Sequence, residues 1–343
     1  MVPSASHILD RTGLSLPQVG FGASGIGNLG RAIGDTEADA ALSSAWDAGF
    51  RYFDTAPLYG FGLSELRLGR FLRLQSRADY VVSTKVGRYF VPTHGAPSNS
   101  GLWTDPLPMR PVLDYGYDAT FRALEQSHAR TGIDKFDVVY IHDLDRRNAG
   151  GAFDRQYDAA IQGAYRALTE LRAAGVVRAI GFGINEADVA STLMNDTDCD
   201  LLMLAGRYTL LEQSALDEAL PLALRRGIGI VAAGIYNSGI LATGAVGGGS
   251  YDYGLAPPRI VERVRSIEAI CRRHAVTLIT AATQFPMLHP AICSTVIGLT
   301  QPDRIRAIPA MFETPVPAAL WEELHSVGLL RRPGDPPARD PFL

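Results

Sequence analysis

The chain has 343 residues, 47% of them hydrophobic and 20% charged, with a formal net charge of −4. That mildly acidic balance argues against a nucleic-acid partner, because phosphates call for a basic face. No window approaches about 18 consecutive apolar residues, and the N-terminus lacks a basic stretch followed by an apolar core, so neither a membrane span nor a secretory signal is expected.

Strand-like and helix-like stretches alternate along the chain. A short strand at 19–22 comes first. Residues 36–48 carry a helix pattern, with Asp35 available as N-cap and Gly49 as stop. A strand at 50–54, a helix near 63–74 and a strand at 80–84 follow. The third helix, 117–130, ends at Gly132, and the fourth strand is 136–141. A helix at 160–174 leads to strand 177–182, and a helix near 186–194 leads to strand 200–204. Helix 212–226 stops at Gly227 before strand 228–232. A helical region, 257–288, precedes the eighth strand at 294–297, and a last helical stretch begins near Pro302.

Alternation of this kind implies a parallel sheet. Right-handed crossovers and a count of eight predict a closed (β/α)₈ TIM barrel; an open doubly wound sheet is the alternative. Two long stretches fall outside the repeat, 86–116 and 233–256, the second containing Gly247-Gly248-Gly249. Both follow strands, so in a barrel both lie over the active face. Residues 332–343 read as a Pro-rich tail. No linker divides the chain, which predicts a single domain over 1–343. Cys199, Cys271 and Cys293 are widely spaced and form neither a disulfide framework nor a metal pattern, which fits a reducing, cytoplasmic setting.

Gly20-Phe21-Gly22-Ala23-Ser24-Gly25 spells G-x-G-x-x-G. A dinucleotide fingerprint needs its glycines to open a helix directly. Here the helix starts only near Thr36, so the reading is a turn that lets a ligand lie close to backbone.

Asp54, Tyr59, Lys85 and His142 each sit at or just past the end of a strand-like run. Singly, an Asp can cap a turn, a Tyr can pack its ring, and a His can be a hydrogen-bonded core residue. Together they project toward one barrel mouth. An ordinary Tyr titrates near ~10, too high for an efficient base at neutral pH. A nearby ammonium is expected to lower that value, and a carboxylate to hold the ammonium in place. A His beside the phenol can orient the substrate oxygen. Such a set moves a hydroxyl proton while hydride leaves the same carbon, and the hydride needs a nicotinamide cofactor.

On Val19-Gly20-Phe21-Gly22, Arg51–Gly60 (RYFDTAPLYG), Ser83-Thr84-Lys85, Val139-Tyr140-Ile141-His142 and Ala179-Ile180-Gly181-Phe182-Gly183, the chain resembles the aldo-keto reductase family over nearly its whole length. The resemblance implies NAD(P) lying extended across the C-terminal face of a (β/α)₈ barrel. It implies a tetrad of Asp54, Tyr59, Lys85 and His142, with Tyr59 as acid/base. It points to Gly22, Ala23, Ser24, Asp54, Asn185, Tyr236, Ser238, Leu241 and Arg304 as cofactor contacts. The chain also departs from the family. Where the family has Ser-Asn after strand five, it reads Gly183-Ile184-Asn185. The usual Gln at strand six falls near Ala205 or Gly206, and the stacking Tyr after strand seven falls at Ala233, leaving Tyr236 or Tyr208 as substitutes. The Lys that NADP-preferring members carry after strand eight is absent from 297–303. NAD is therefore expected, with NADP kept possible by Arg304.

Within the family the chain resembles sugar dehydrogenases of the D-threo-aldose (L-fucose) type and pyridoxal 4-dehydrogenases. The segments that carry this are Tyr59-Gly60-Phe61-Gly62-Leu63-Ser64-Glu65, Tyr140-Ile141-His142-Asp143, 163–168, 205–211 and Tyr236-Asn237-Ser238-Gly239-Ile240-Leu241. The expected reaction is oxidation of the C1 hemiacetal of an aldose to a lactone. Trp103, Asp143, Arg207 and Asn237 are the expected sugar contacts, with simple loop packing as the alternative for Trp103. Pyridoxal oxidation and a cofactor-binding subunit without catalysis are the other readings. The expected assembly is a monomer or small homo-oligomer.

Overall fold

The computed structural model describes residues 2, 3, 5–95, 101–246 and 249–335. Gly247, Gly248 and most of the Pro-rich tail lie outside them. Eight runs rich in Val, Ile, Phe, Tyr and Leu form strands, as pleated surfaces buried on both faces favour. They are β1 (Val19–Gly22), β2 (Tyr52–Asp54), β3 (Val81–Val86), β4 (Val138–His142), β5 (Ala179–Ile184), β6 (Leu201–Ala205), β7 (Gly229–Ala233) and β8 (Ile292–Ile297). All pair in parallel and close in the order β6-β7-β8-β1-β2-β3-β4-β5, with β5 against β6. The fold is the (β/α)₈ barrel, and the open sheet is excluded.

The outer layer contains α1 (Asp35–Asp47), α2 (Leu63–Leu72), α3 (Tyr117–Thr131), α4 (Arg166–Ala173), α5 (Ala187–Asp196), α6 (Ala219–Arg226), α7 (Pro258–Arg273), α8 (Leu278–Gln284), α9 (Pro302–Glu313) and α10 (Ala318–Ser326). Several boundaries differ from expectation, for physical reasons. Gly34, not Asp35, caps α1, because the cap position is extended there. Asp35 is the first helical residue, and its carboxylate accepts from Arg67 at 2.9 Å and Arg70 at 3.0 Å, both on α2. The helix expected from 212 starts at 219. Thr209 competes for the backbone there, its Oγ1 accepting from Glu212 N at 3.0 Å. The region 257–288 breaks after Arg273, and Thr277 caps α8 by accepting from Thr280 N.

The helix expected at 160–174 is longer and irregular. A segment at Phe153–Ala159 continues through a π-turn, Ala160–Tyr165, into α4. The widened turn leaves Ala164 N free to donate to Tyr115 O at 2.8 Å, ahead of α3. Gly163 stands at that approach: a Cβ on it would lie 2.5 Å from Tyr115 O.

Three antiparallel pairs were not foreseen. Ser6–Ile8 with Ser15–Pro17 closes the floor of the barrel. There Leu9, Leu14 and Leu16 join the interior side chains of Tyr52, Val138, Tyr140 and Leu201 in one buried cluster. Arg88–Pro92 with Met109–Leu113 builds the stretch after β3, and Gln126 of α3 brackets Phe90 through its backbone N and O, both at 2.9 Å. Ser250–Tyr251 with Gly254–Leu255 builds part of the stretch after β7. Among the described residues, no helix is long and apolar enough to cross a membrane. The three cysteines are buried and free.

Candidate active site

Register brings the tetrad together. Gly22 pairs with Asp54, Asp54 with Ser83, Lys85 with Tyr140, and His142 with Gly183. Successive strand residues alternate sides, so Tyr52 and Asp54, Ser83 and Lys85, and Tyr140 and His142 point inward as pairs. The second member of each pair is at the mouth.

Lys85 Nζ donates to Asp54 Oδ2 at 2.7 Å and Oδ1 at 2.9 Å, and to Thr55 O at 2.9 Å. Its side chain is 1% exposed and that of Asp54 is 3% exposed. A buried ammonium is tolerated only when its three protons and its charge are matched, and here they are. Asp54 Oδ1 also accepts from Ser83 Oγ at 2.7 Å. Beneath it, Tyr52 Oη is 3.1 Å from both Ser83 Oγ and Tyr140 Oη. A layer of hydroxyls therefore underlies the ion pair. Gly183 leaves room beside it: a Cβ there would lie 3.6 Å from Lys85 Cε and 3.8 Å from His142 Cδ2.

Tyr59 opens a tight turn in which Gly60, Phe61 and Gly62 all have positive φ. The turn carries the phenol ring over the ion pair, with Lys85 Nζ 4.9 Å from the ring centroid. The His142 ring meets it edge-on at 5.9 Å and the Trp103 ring lies tilted at 5.4 Å. Trp103 packs with Phe61 and Phe90, so it is both loop packing and a wall of the site.

Electrostatics correct one expectation. The Tyr59 phenol is pushed well above 10 by burial first, then by the Asp54 and Asp143 carboxylates. The nearby Lys85 ammonium does not reverse that direction. His142 is held well below 6.5 by burial, then by the Lys85 and Arg88 charges. At neutral pH the site thus presents a protonated phenol and a neutral imidazole.

Arg88 and Asp143 form an ion pair at the mouth, Nη1 to Oδ2 at 3.0 Å. Asp143 Oδ1 is 3.5 Å from His142 Nε2. Asn185 donates to Asp145 Oδ2 at 2.8 Å and lies 3.4 Å from Asp143 Oδ1. Arg207, expected at the sugar, is engaged elsewhere: its Nε donates to Asn185 O at 2.5 Å and Nη1 to Glu212 Oε1 at 2.6 Å. Asn237 is buried and accepts from Thr209 Oγ1 at 2.6 Å, which ties the β7 loop to the β6 loop.

At the cofactor positions, Gly22 ends β1 and Ala23 N donates to Asp54 O at 2.8 Å. Ser24, Arg31, Thr300 and Arg304 line a cavity of ≈ 230 Å³ between the β1 and β8 ends. Two guanidinium groups and two hydroxyls are a donor set suited to a ribose and phosphates. Arg31 is bound through both terminal nitrogens to Glu37, whereas Arg304 makes no ion pair among the described residues. Both substitutes for the stacking tyrosine are largely buried. Tyr236 is buried, its hydroxyl 2.9 Å from Thr283 Oγ1 of α8, and Tyr208 packs on Phe285. Ser238 Oγ accepts from Tyr253 N at 3.0 Å and so pins the 250–255 hairpin. The Leu241 side chain is wholly buried.

Arg88, Ser83 and the two lower tyrosines were not singled out from the sequence. Period-two alternation points to the last three, since each lies two residues before a tetrad member. Nothing local points to Arg88.

Among relatives of known activity, the chain is 42% identical over 327 residues to D-threo-aldose 1-dehydrogenase of a Pseudomonas species, covering 94% of this chain and 97% of that protein. It is 39% identical over 338 residues to pyridoxal 4-dehydrogenase of Microbacterium luteolum, covering 95% and 98%. Among solved structures, an aldo-keto reductase from Bacillus halodurans matches with a TM-score of 0.72 at 21% identity over 95% of this chain and 96% of that one. The glycerol dehydrogenase of Gluconobacter oxydans matches with a TM-score of 0.74 at 19% identity over 100% and 99%. The aldo/keto reductase family model spans residues 18–328, so the chain belongs to that family and is an oxidoreductase.

Proposed function

We propose that this enzyme oxidises the C1 hemiacetal of an aldose to its lactone, with NAD⁺ as the hydride acceptor. The observation that carries the chemistry is the Tyr59 phenol set between Lys85 Nζ and the neutral His142 ring. The bound nicotinamide supplies the hydride chemistry. His142 donates from Nε2 to the reacting oxygen and orients it. Tyr59 exchanges a proton with that oxygen: it accepts one in oxidation and returns one in reduction. Lys85, fixed by Asp54 and Thr55 O with Nζ 4.9 Å from the ring centroid, offsets part of the cost of a transient phenolate during turnover. Ser24 and Arg304, which line the cavity between the β1 and β8 ends, would hold the ribose and phosphate end, and Asn185 would bind the carboxamide. NAD⁺ is preferred over NADP⁺ because Arg304 is the only cavity guanidinium not already paired with a carboxylate among the described residues.

The aldose assignment draws on the relative that is 42% identical over nearly the whole chain. Pyridoxal, whose internal hemiacetal also oxidises to a lactone, is a second reading, favoured by the relative at 39% identity. The test incubates the protein with NAD⁺ or NADP⁺ and a panel of aldoses plus pyridoxal, and follows absorbance of the reduced cofactor. Reduction of NAD⁺ by an aldose is expected. Activity with pyridoxal alone moves the assignment to the second reading, and silence with every substrate favours a non-catalytic binding subunit. The setting we infer is cytoplasmic, as a monomer or small homo-oligomer.

A further inference from the structure

Arg88 and Asp143 stand beside the tetrad as an ion pair at the barrel mouth, next to the His142 ring. Asp143 has φ +56°, a left-handed conformation that costs a non-glycine residue energy and concentrates at functional sites. Its backbone N donates to Gly183 O at 2.8 Å, which holds the residue at the strand end next to His142. Arg88 enters from the 88–92 strand, and its side chain is only 12% exposed. Its Nη1 is buried in the ion pair with Asp143 Oδ2, and among the described residues it has no well-aligned hydrogen bond. A nearly buried ion pair at the edge of a reaction site is costly to desolvate and is well placed to bind a polar group that enters beside it.

We propose that Arg88 and Asp143 form a reading pair for the hydroxyl on the carbon next to the reacting one, the C2 hydroxyl of an aldose. This rests on the aldose reading above. A hydroxyl is donor and acceptor at once: its oxygen accepts from the exposed part of the Arg88 guanidinium while its proton is donated to Asp143. The geometry fits a vicinal diol. His142 Nε2 holds the reacting oxygen, and Asp143 Oδ1 is 3.5 Å from that nitrogen. Neighbouring oxygens of a diol stand about one hydrogen-bond length apart, so the second falls at the ion pair. A substrate lacking that hydroxyl leaves both charged groups facing apolar carbon. A substrate presenting an anionic oxygen there meets the Asp143 carboxylate.

The test compares kcat/KM for the aldose turned over fastest with that for its 2-deoxy counterpart, in the wild type, Arg88→Met and Asp143→Asn. The wild type is expected to prefer the hydroxylated sugar by at least about tenfold. That ratio is expected to fall toward one in both variants. Cofactor Kd by fluorescence titration, unchanged in each, shows that the variants fold. A wild-type ratio near one, or a ratio that neither variant alters, overturns the pair while leaving aldose oxidation intact. A wild type that oxidises neither sugar overturns the aldose reading and the pair with it.

Discussion

Tyr59, the proton carrier in the proposed mechanism, is held in its protonated form by burial and two carboxylates. Oxidation must first strip a proton from that phenol, so kcat/KM for oxidation is expected to climb about tenfold per pH unit from neutrality upward. A plateau already reached at pH 7 would contradict this. Tyr59→Phe is expected to abolish turnover while cofactor Kd stays within about twofold. Measurable turnover would assign the proton transfer to another group. His142 has the opposite sensitivity. Its folded pKa lies well below its ordinary 6.5, so the neutral form contributes stability that is complete above 6.5 and lost as pH falls through the folded value. The wild-type Tm is expected to drop as pH falls below about 6.5, and His142→Gln is expected to flatten that part of the curve. Thermal melts across that range decide it. Lys85→Met would leave Asp54 charged and buried without its partner, a loss of about 3–5 kcal/mol read by denaturant unfolding.

The elements around the site are irregular where close approach requires it. At the π-turn, Gly163 sits against the backbone entering α3, where a Cβ would meet carbonyl oxygen rather than a movable side chain. Gly163→Ala is expected to destabilise by about 1–3 kcal/mol, measured as a lower denaturation midpoint. An unchanged midpoint would mean the helix can slide. The same contrast explains what could be read from the sequence. Strand cores and helix stops such as Gly132 and Gly227 were legible because apolar periodicity and left-handed caps act over a few residues. Asp54, Lys85 and His142 were legible because strand ends announce the barrel mouth. The hairpins at 88–113 and 250–255, the Arg88 placement and the engagement of Arg207 by Glu212 depend on partners far away in the chain, and no local pattern encodes them. The suppression of Tyr59 ionisation was missed for a related reason. Proximity of Lys85 suggested a lowered pKa, but the outcome turned on burial and on the Asp54 and Asp143 carboxylates.

Over the whole molecule, the two ends of the barrel do different work. At the floor, Asp200 accepts from Ile180 N at 2.9 Å and from Arg172 at 2.7 Å. Asp137 does the same for Val82 N and Arg77. Each carboxylate pins the start of a neighbouring strand, far from the mouth. Asp200→Ala is expected to cost about 2–4 kcal/mol of stability with kcat within twofold of wild type. A selective loss of kcat would show that the floor and the mouth are coupled. The leucine-sealed floor has a further consequence for isotope exchange. Tyr52, Tyr140 and Ser83 hydroxyls lie between that seal and the Lys85–Asp54 pair, and burial pushes both tyrosines far above ordinary phenols. They form a hydrogen-bonded cul-de-sac that neither ionises nor meets solvent from below. Deuterons from the medium would reach Tyr59 through the mouth alone, and the hydroxyls beneath it would be among the last protons in the molecule to be replaced.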